Sequence, residues 1–242
     1  MRATGPRRAV PAAVLAVLLS VSAAVAVGCA ASRAVPPPAA PPVPPPAAPP
    51  TPPSPGSPAP AEVTTVDAAE LGQSWAPGCP VGPEQLRRVT VSHLGLDNNT
   101  HRGELIVHRD VVDQVIAIFA DLHRIGYPIE KMRNVAHYPG ADDEASMRDN
   151  NTSAFNCRRI PGSGNWALHA YGRAIDVNPL LNPYLDGDGV QPGNAEVFLD
   201  RDRIDPGLLH DGDPAVRAFT DRGWRWGGHW RSPIDYQHFE LP

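Results

Sequence analysis

At 242 residues, with 21 Lys and Arg against 26 Asp and Glu and a net charge of −5, the chain has room for one or two domains. Residues 1–33 hold four of the basic residues and no acid, so the remainder carries 17 basic against 26 acidic groups, a net of −9. A body that acidic argues against a protein that holds nucleic acid by counter-charge.

Arg2, Arg7 and Arg8 precede an apolar run from Ala9 to Val27 that ends at Gly28-Cys29. Basic, then apolar, then small residues is the order of an export signal. The run is nearly long enough to span a bilayer, but Pro11, Ser20 and Ser22 weaken a permanent helix there. Ala26-Val27-Gly28-Cys29 resembles the lipobox of bacterial lipoproteins, with alanine where leucine is usual. Export to the cell envelope is therefore expected, with Cys29 lipidated, lost with a cleaved signal, or part of an uncleaved anchor. Any membrane attachment is expected through this segment alone.

Ala34 to Pro60 is almost entirely Pro and Ala and holds half of the 30 prolines. It cannot build a core and reads as a stiff polyproline-type spacer, reaching about 80 Å at about 3.1 Å per residue. Composition thus divides the chain into a signal or anchor at 1–33, a linker at 34–70 and a globular domain at 71–242, expected to act as a monomer. With Cys29 consumed or removed, Cys79 and Cys157 remain, and outside the cytoplasm a disulfide is their default. Metal ligation competes poorly, because no CxxC spacing is present.

Within the domain, GELIVH (103–108) predicts a strand. Asp110 predicts the cap of a helix with Val112, Val115, Phe119 and Leu122 on one face, ending at Gly126 before Pro128. IEKMRNVAHY and AFNCRRI predict two further strands around the polar loop PGADDEASMRDNNTS, and RAIDVN predicts another. Asp213-Pro214 opens a helix that Gly223 closes. A turn at Ser232-Pro233 leads into a terminal strand, DYQHFEL. Strands without regular helical crossovers predict an α+β fold around a mostly antiparallel sheet with flanking helices.

In LHAYGRAIDVNP, His169 stands seven residues before Asp176, and DYQHF supplies His238. Two imidazoles and one carboxylate are the ligand set of an open catalytic zinc, which leaves a position for water. The ion keeps a net positive charge and can acidify water or polarise a carbonyl. Such chemistry also needs a base, and Asp235 lies three residues before His238. That offset points to the opposite face of a regular strand, so Asp235 is expected at a bend that Pro233 introduces. His93, His101, His108, His123, His137 and His210 read as structural. The Asp186-Gly187-Asp188-Gly189 run lacks the rest of an EF-hand loop and reads as a turn.

SAFNCR, WALHAYGRAIDVNP, GWRWGG and DYQHFE, in that order, resemble the signatures of the VanY-type family of zinc D-alanyl-D-alanine peptidases. The likeness runs from about Cys79 to the C-terminus, nearest the longer, endopeptidase-like branch. It implies a DD-peptidase/Hedgehog-like fold and metal ligands at His169, Asp176 and His238. It also implies a catalytic acid/base at Asp235 and a carbonyl-holding arginine at Arg158, with Arg133 as the alternative. Two positions depart from the pattern: Ala167 replaces the motif's serine, and His229 stands where WGGDW has aspartate. The implied activity is zinc-dependent hydrolysis of peptidoglycan stem peptides, as a carboxypeptidase or an L,D- or D,D-endopeptidase. A wall-binding or sensing module that keeps zinc without turnover is the rival reading.

Overall fold

The computed structural model describes residues 58–160 and 162–242. The signal-like segment with Cys29, and residues 34–57 of the linker, lie outside the described residues. Strands β1 (Glu62–Thr65), β2 (Leu86–Leu94) and β3 (Thr100–His108) form an antiparallel sheet in the order β1-β2-β3. β1 and all but the last residue of the short helix α1 (Ala68–Leu71) fall within the stretch that composition assigns to the linker. Packing recruits them: Glu62 pairs with Thr90 and Thr65 with Arg87, and the Ala59 amide donates to Ser92 Oγ at 3.0 Å. Sequence patterning alone also predicts no strand at β2. Arg87-Arg88 interrupts its two-residue alternation, and its last four residues are all buried.

Helix α2 (Val112–Arg124) packs on β2 with Val115, Ile118, Phe119 and Leu122 essentially inaccessible. Its predicted apolar face is correct; its predicted cap is not. Arg109–Val111 is a 3₁₀ turn, the Asp110 amide donates to His108 Nδ1 at 3.3 Å, and the Asp110 carboxylate pairs with Arg173 at 3.2 Å. The helix closes at Gly126 in the left-handed region, and the Tyr127 amide bonds back to the Leu122 carbonyl.

The next two predicted strands are largely absent. Only β4 (Lys131–Met132) and β5 (Asn151–Thr152) form, as a short parallel pair. The loop between them contains α3 (Asp143–Arg148), capped by Asp142, whose side chain accepts from the Ala145 amide. Residues 154–160 have strand-like composition but bond singly to several elements. Phe155 donates to Ile106, Cys157 to Ser74, and Arg158 accepts from Ala167.

The C-terminal half builds two small antiparallel sheets. One runs β6 (Ala174–Asp176), β11 (His238–Glu240), β9 (Arg225–Trp226); the other runs β10 (Ile234–Asp235), β7 (Tyr184–Asp186), β8 (Gly189–Gln191). The Asp186–Gly189 run is the turn of the β7-β8 hairpin. Helix α4 (Pro214–Thr220) carries Phe219, which stacks on Phe239 at 3.9 Å and joins the core that α2 shares. The fold is thus α+β with antiparallel sheets and few helices. Cys79 and Cys157 are bonded, with Cα atoms 6.0 Å apart, tying the region before β2 to the segment that carries Arg158. Among the described residues no helix is long and apolar enough to cross a membrane.

Candidate metal centre

The seven-residue interval is a turn followed by a strand. His169 lies in a 3₁₀ turn, Leu168–Tyr171, that ends on Gly172 at φ +66°. A Cβ at Gly172 would stand 2.6 Å from the His108 amide nitrogen, which donates to the Gly172 carbonyl at 2.8 Å. Only glycine satisfies both the left-handed backbone and that approach. The chain then enters β6, whose partner β11 sets His238 directly opposite Asp176.

Three buried donor atoms therefore converge. His169 Nε2 lies 3.1 Å from His238 Nδ1 and 3.1 Å from Asp176 Oδ2, while His238 Nδ1 lies 3.0 Å from Asp176 Oδ1. The remaining ring nitrogens point outward: His169 Nδ1 donates to the Ala154 carbonyl at 2.5 Å, and His238 Nε2 donates to Glu240 at 3.3 Å. Those outer bonds fix each ring's tautomer and leave the inner lone pairs facing one another, as metal-binding imidazoles require. These three residues form a group that could hold a metal ion.

The local field is negative. Burial works to raise Asp176, but His169 and His238 outweigh it and its carboxyl falls well below the usual range. Burial likewise opposes charge on His238, yet Asp176 and Glu240 push the ring up to about 10. A site that holds a proton this firmly also favours a cation.

Asp235 ends β10, and residues 236–237 bend the chain before β11, so the terminal strand is split where the three-residue offset requires. Gly227 makes room for it, since a Cβ there would meet the Asp235 carbonyl oxygen at 2.6 Å. Asp235 Oδ1 is buried with no hydrogen-bond partner. Burial and neighbouring Asp176 push its carboxyl up to about 7, against the pull of His238 and Arg158. It lines a cavity of about 430 Å³ together with His169, Asp176, His238 and Arg158. Arg158 pairs with Asp143 of α3 at 2.9 Å; burial lowers its pKa, but Asp143, Asp176 and Asp235 raise it more, so it stays charged. Arg133 is exposed and does not line this cavity.

The two departures from the family pattern are separable. Ala167 is buried on the cavity wall, its amide bonded to the Arg158 carbonyl. His229 is exposed and bonds Asp211 at 2.7 Å, apart from the three-ligand group. His101, His123 and His210 have partners in Asp97, Thr100 and Asp213, as structural histidines do. Sequence reasoning missed Glu240, although its offset of two from His238 places it on the same strand face. It also missed Asp143, hidden in a polar loop, and Gln237.

An α+β chain with a buried two-imidazole, one-carboxylate group, beside a cavity that holds a shielded carboxylate and an arginine, has the arrangement of a hydrolase. A family model described as D-alanyl-D-alanine carboxypeptidase matches residues 161–241, the segment that carries His169, Asp176, Asp235 and His238. Over those residues the likeness to VanY-type enzymes is shown, and the match supports a peptidase. Searches of curated proteins and of solved structures returned no match.

Proposed function

We propose that the protein is a zinc-dependent peptidase of the D-alanyl-D-alanine carboxypeptidase type that hydrolyses peptidoglycan stem peptides. The observation that carries this reading is the convergence of His169 Nε2, His238 Nδ1 and the Asp176 carboxylate within 3.0–3.1 Å, beside Asp235. Zinc fits that donor set, because tetrahedral bonds of about 2.0–2.1 Å separate ligand atoms by about 3.3 Å. When bound, the ion supplies Lewis acidity toward water and the scissile carbonyl.

The chain's own residues do the rest. Asp235, shielded and poised near neutrality, accepts the proton of the attacking water and passes it to the leaving amine. Arg158, steadied by Asp143, faces the negative charge that develops on the carbonyl oxygen. Glu240 and the Ala154 carbonyl keep both imidazoles in the orientation that ligation needs.

Incubating the purified protein with defined muropeptides, with and without a chelator, tests the reading by mass spectrometry. Cleavage that stops with chelator and returns with zinc is expected. Binding without cleavage at any zinc level would favour a wall-binding module instead. We further propose export to the cell envelope as a monomer, held by the segment around Cys29. Fractionation and lipid labelling of wild type and Cys29→Ala test that placement, and a cytoplasmic, unlabelled wild type would refute it.

A further inference from the structure

We infer that the Cys79–Cys157 bond is a redox switch that keeps the site aligned only while it is oxidised. This rests on the peptidase reading above and adds regulation to it. Residues 154–158 belong to no strand, yet they touch the site at alternate positions. The Ala154 carbonyl accepts from His169 Nδ1 at 2.5 Å, which fixes the tautomer that ligation needs. Asn156, buried, donates its amide to the His169 carbonyl and its Nδ2 to Asp143, each at 3.3 Å. Asp143 in turn holds Arg158 Nε at 2.9 Å, and Arg158 lines the cavity. One short stretch thus sets a ligand's ring, that ligand's backbone and the arginine.

The two intervening residues anchor that stretch elsewhere. Phe155 is buried in a small second core with Leu71, Leu86 and Ile106, and Cys157 packs against that core and bonds Cys79. The amides of both bond singly to different elements, Phe155 to Ile106 at 3.0 Å and Cys157 to Ser74 at 2.9 Å. A segment with so few lateral bonds opens at low cost once its covalent tie is cut. Release leaves the main core intact, because the cluster around Ile118 and Phe119 of α2 includes neither Phe155 nor Cys157.

The bond is also within reach of a reductant. Cys79 and Cys157 are both partly exposed, and residues 76–78 beside Cys79 are exposed. The thiolate of a dithiol attacks one sulfur to form a mixed disulfide, and its second thiol resolves it. Two electrons and two protons pass to the cysteines, and the dithiol leaves as its own disulfide. A chain made in a reducing compartment is thereby held back until the export proposed above brings it to an oxidant.

Full-length protein reduced with dithiothreitol and desalted without air is compared with oxidised protein and with Cys79→Ser/Cys157→Ser. In the reduced chain and the variant, kcat/KM on a stem peptide is expected to fall about tenfold or more. A competitive chelator titration is expected to show zinc held about 10- to 100-fold more weakly. Hydrogen exchange is expected to quicken at residues 155–158 and stay slow in α2. Reoxidation with diamide restores the wild type and leaves the variant as it was. Equal cleavage in both states would overturn the inference and leave the peptidase reading standing. Loss of protection in α2 on reduction would also overturn it, since a switch leaves the core folded. If neither state cleaves, the peptidase reading falls; unchanged zinc affinity and exchange then overturn the switch, and the expected changes in both uphold it.

Discussion

In the proposed mechanism turnover depends most directly on Asp235. Asp235→Asn keeps size and shape but cannot accept a proton, so kcat is expected to fall by about 10²- to 10⁴-fold while zinc content and circular dichroism stay unchanged. The protonated wild-type carboxyl is equally unable to act. As burial raises it to about 7, kcat/KM is expected to decline as pH falls through that region, and a flat profile down to pH 5 would place the base elsewhere. Glu240 acts through His238: Glu240→Gln is expected to weaken zinc about 10- to 100-fold in a competitive chelator titration, without unfolding the protein. Gln237 bears on stability. Gln237→Met keeps the volume and removes an unsatisfied buried acceptor, so urea denaturation is expected to show stability unchanged or raised by about 1 kcal/mol.

At the scale of elements, the candidate site rests on short strands that hold side chains in register. β6 and β11 set His238 against Asp176, while β10 pairs Asp235 with Tyr184 in a different sheet. The two-residue bend at 236–237 lets one terminal segment serve both sheets. Gly227 supports that junction from the 3₁₀ turn beside it, within 2.6 Å of the Asp235 carbonyl oxygen for any added Cβ. Gly227→Ala is therefore expected to shift Asp235 and lower kcat about 10- to 100-fold, since displacement of a catalytic group by an ångström costs that much. The zinc that the proposed site would hold from β6, β11 and the His169 turn is expected to remain by metal analysis. Loss of zinc with no loss of rate in the remaining holoenzyme would contradict this division of labour.

For the whole molecule, the Cys79–Cys157 bond closes a loop across 78 residues of sequence and fastens the segment that carries Arg158. Replacing both cysteines by serine is expected to cost about 2–5 kcal/mol in denaturant unfolding, because the unfolded chain regains that loop's freedom. An unchanged midpoint would show that other contacts already hold the segment. The sequence by itself determined the α+β class, the apolar face of α2 and the family likeness. It also brought His169, Asp176 and His238 together as candidates, since ligand chemistry restricts residue type and local spacing. Periodicity and turn residues are local signals, and they are legible one segment at a time. Only the tertiary structure decided that residues 58–70 join the domain, that 154–160 forms no strand, and that Asp143 steadies Arg158. It alone showed His229 apart from the ligand group and Gln237 Oε1 buried without a hydrogen-bond partner. Those outcomes depend on which distant surfaces meet, and burial and pairing across such contacts leave no periodic trace in the chain.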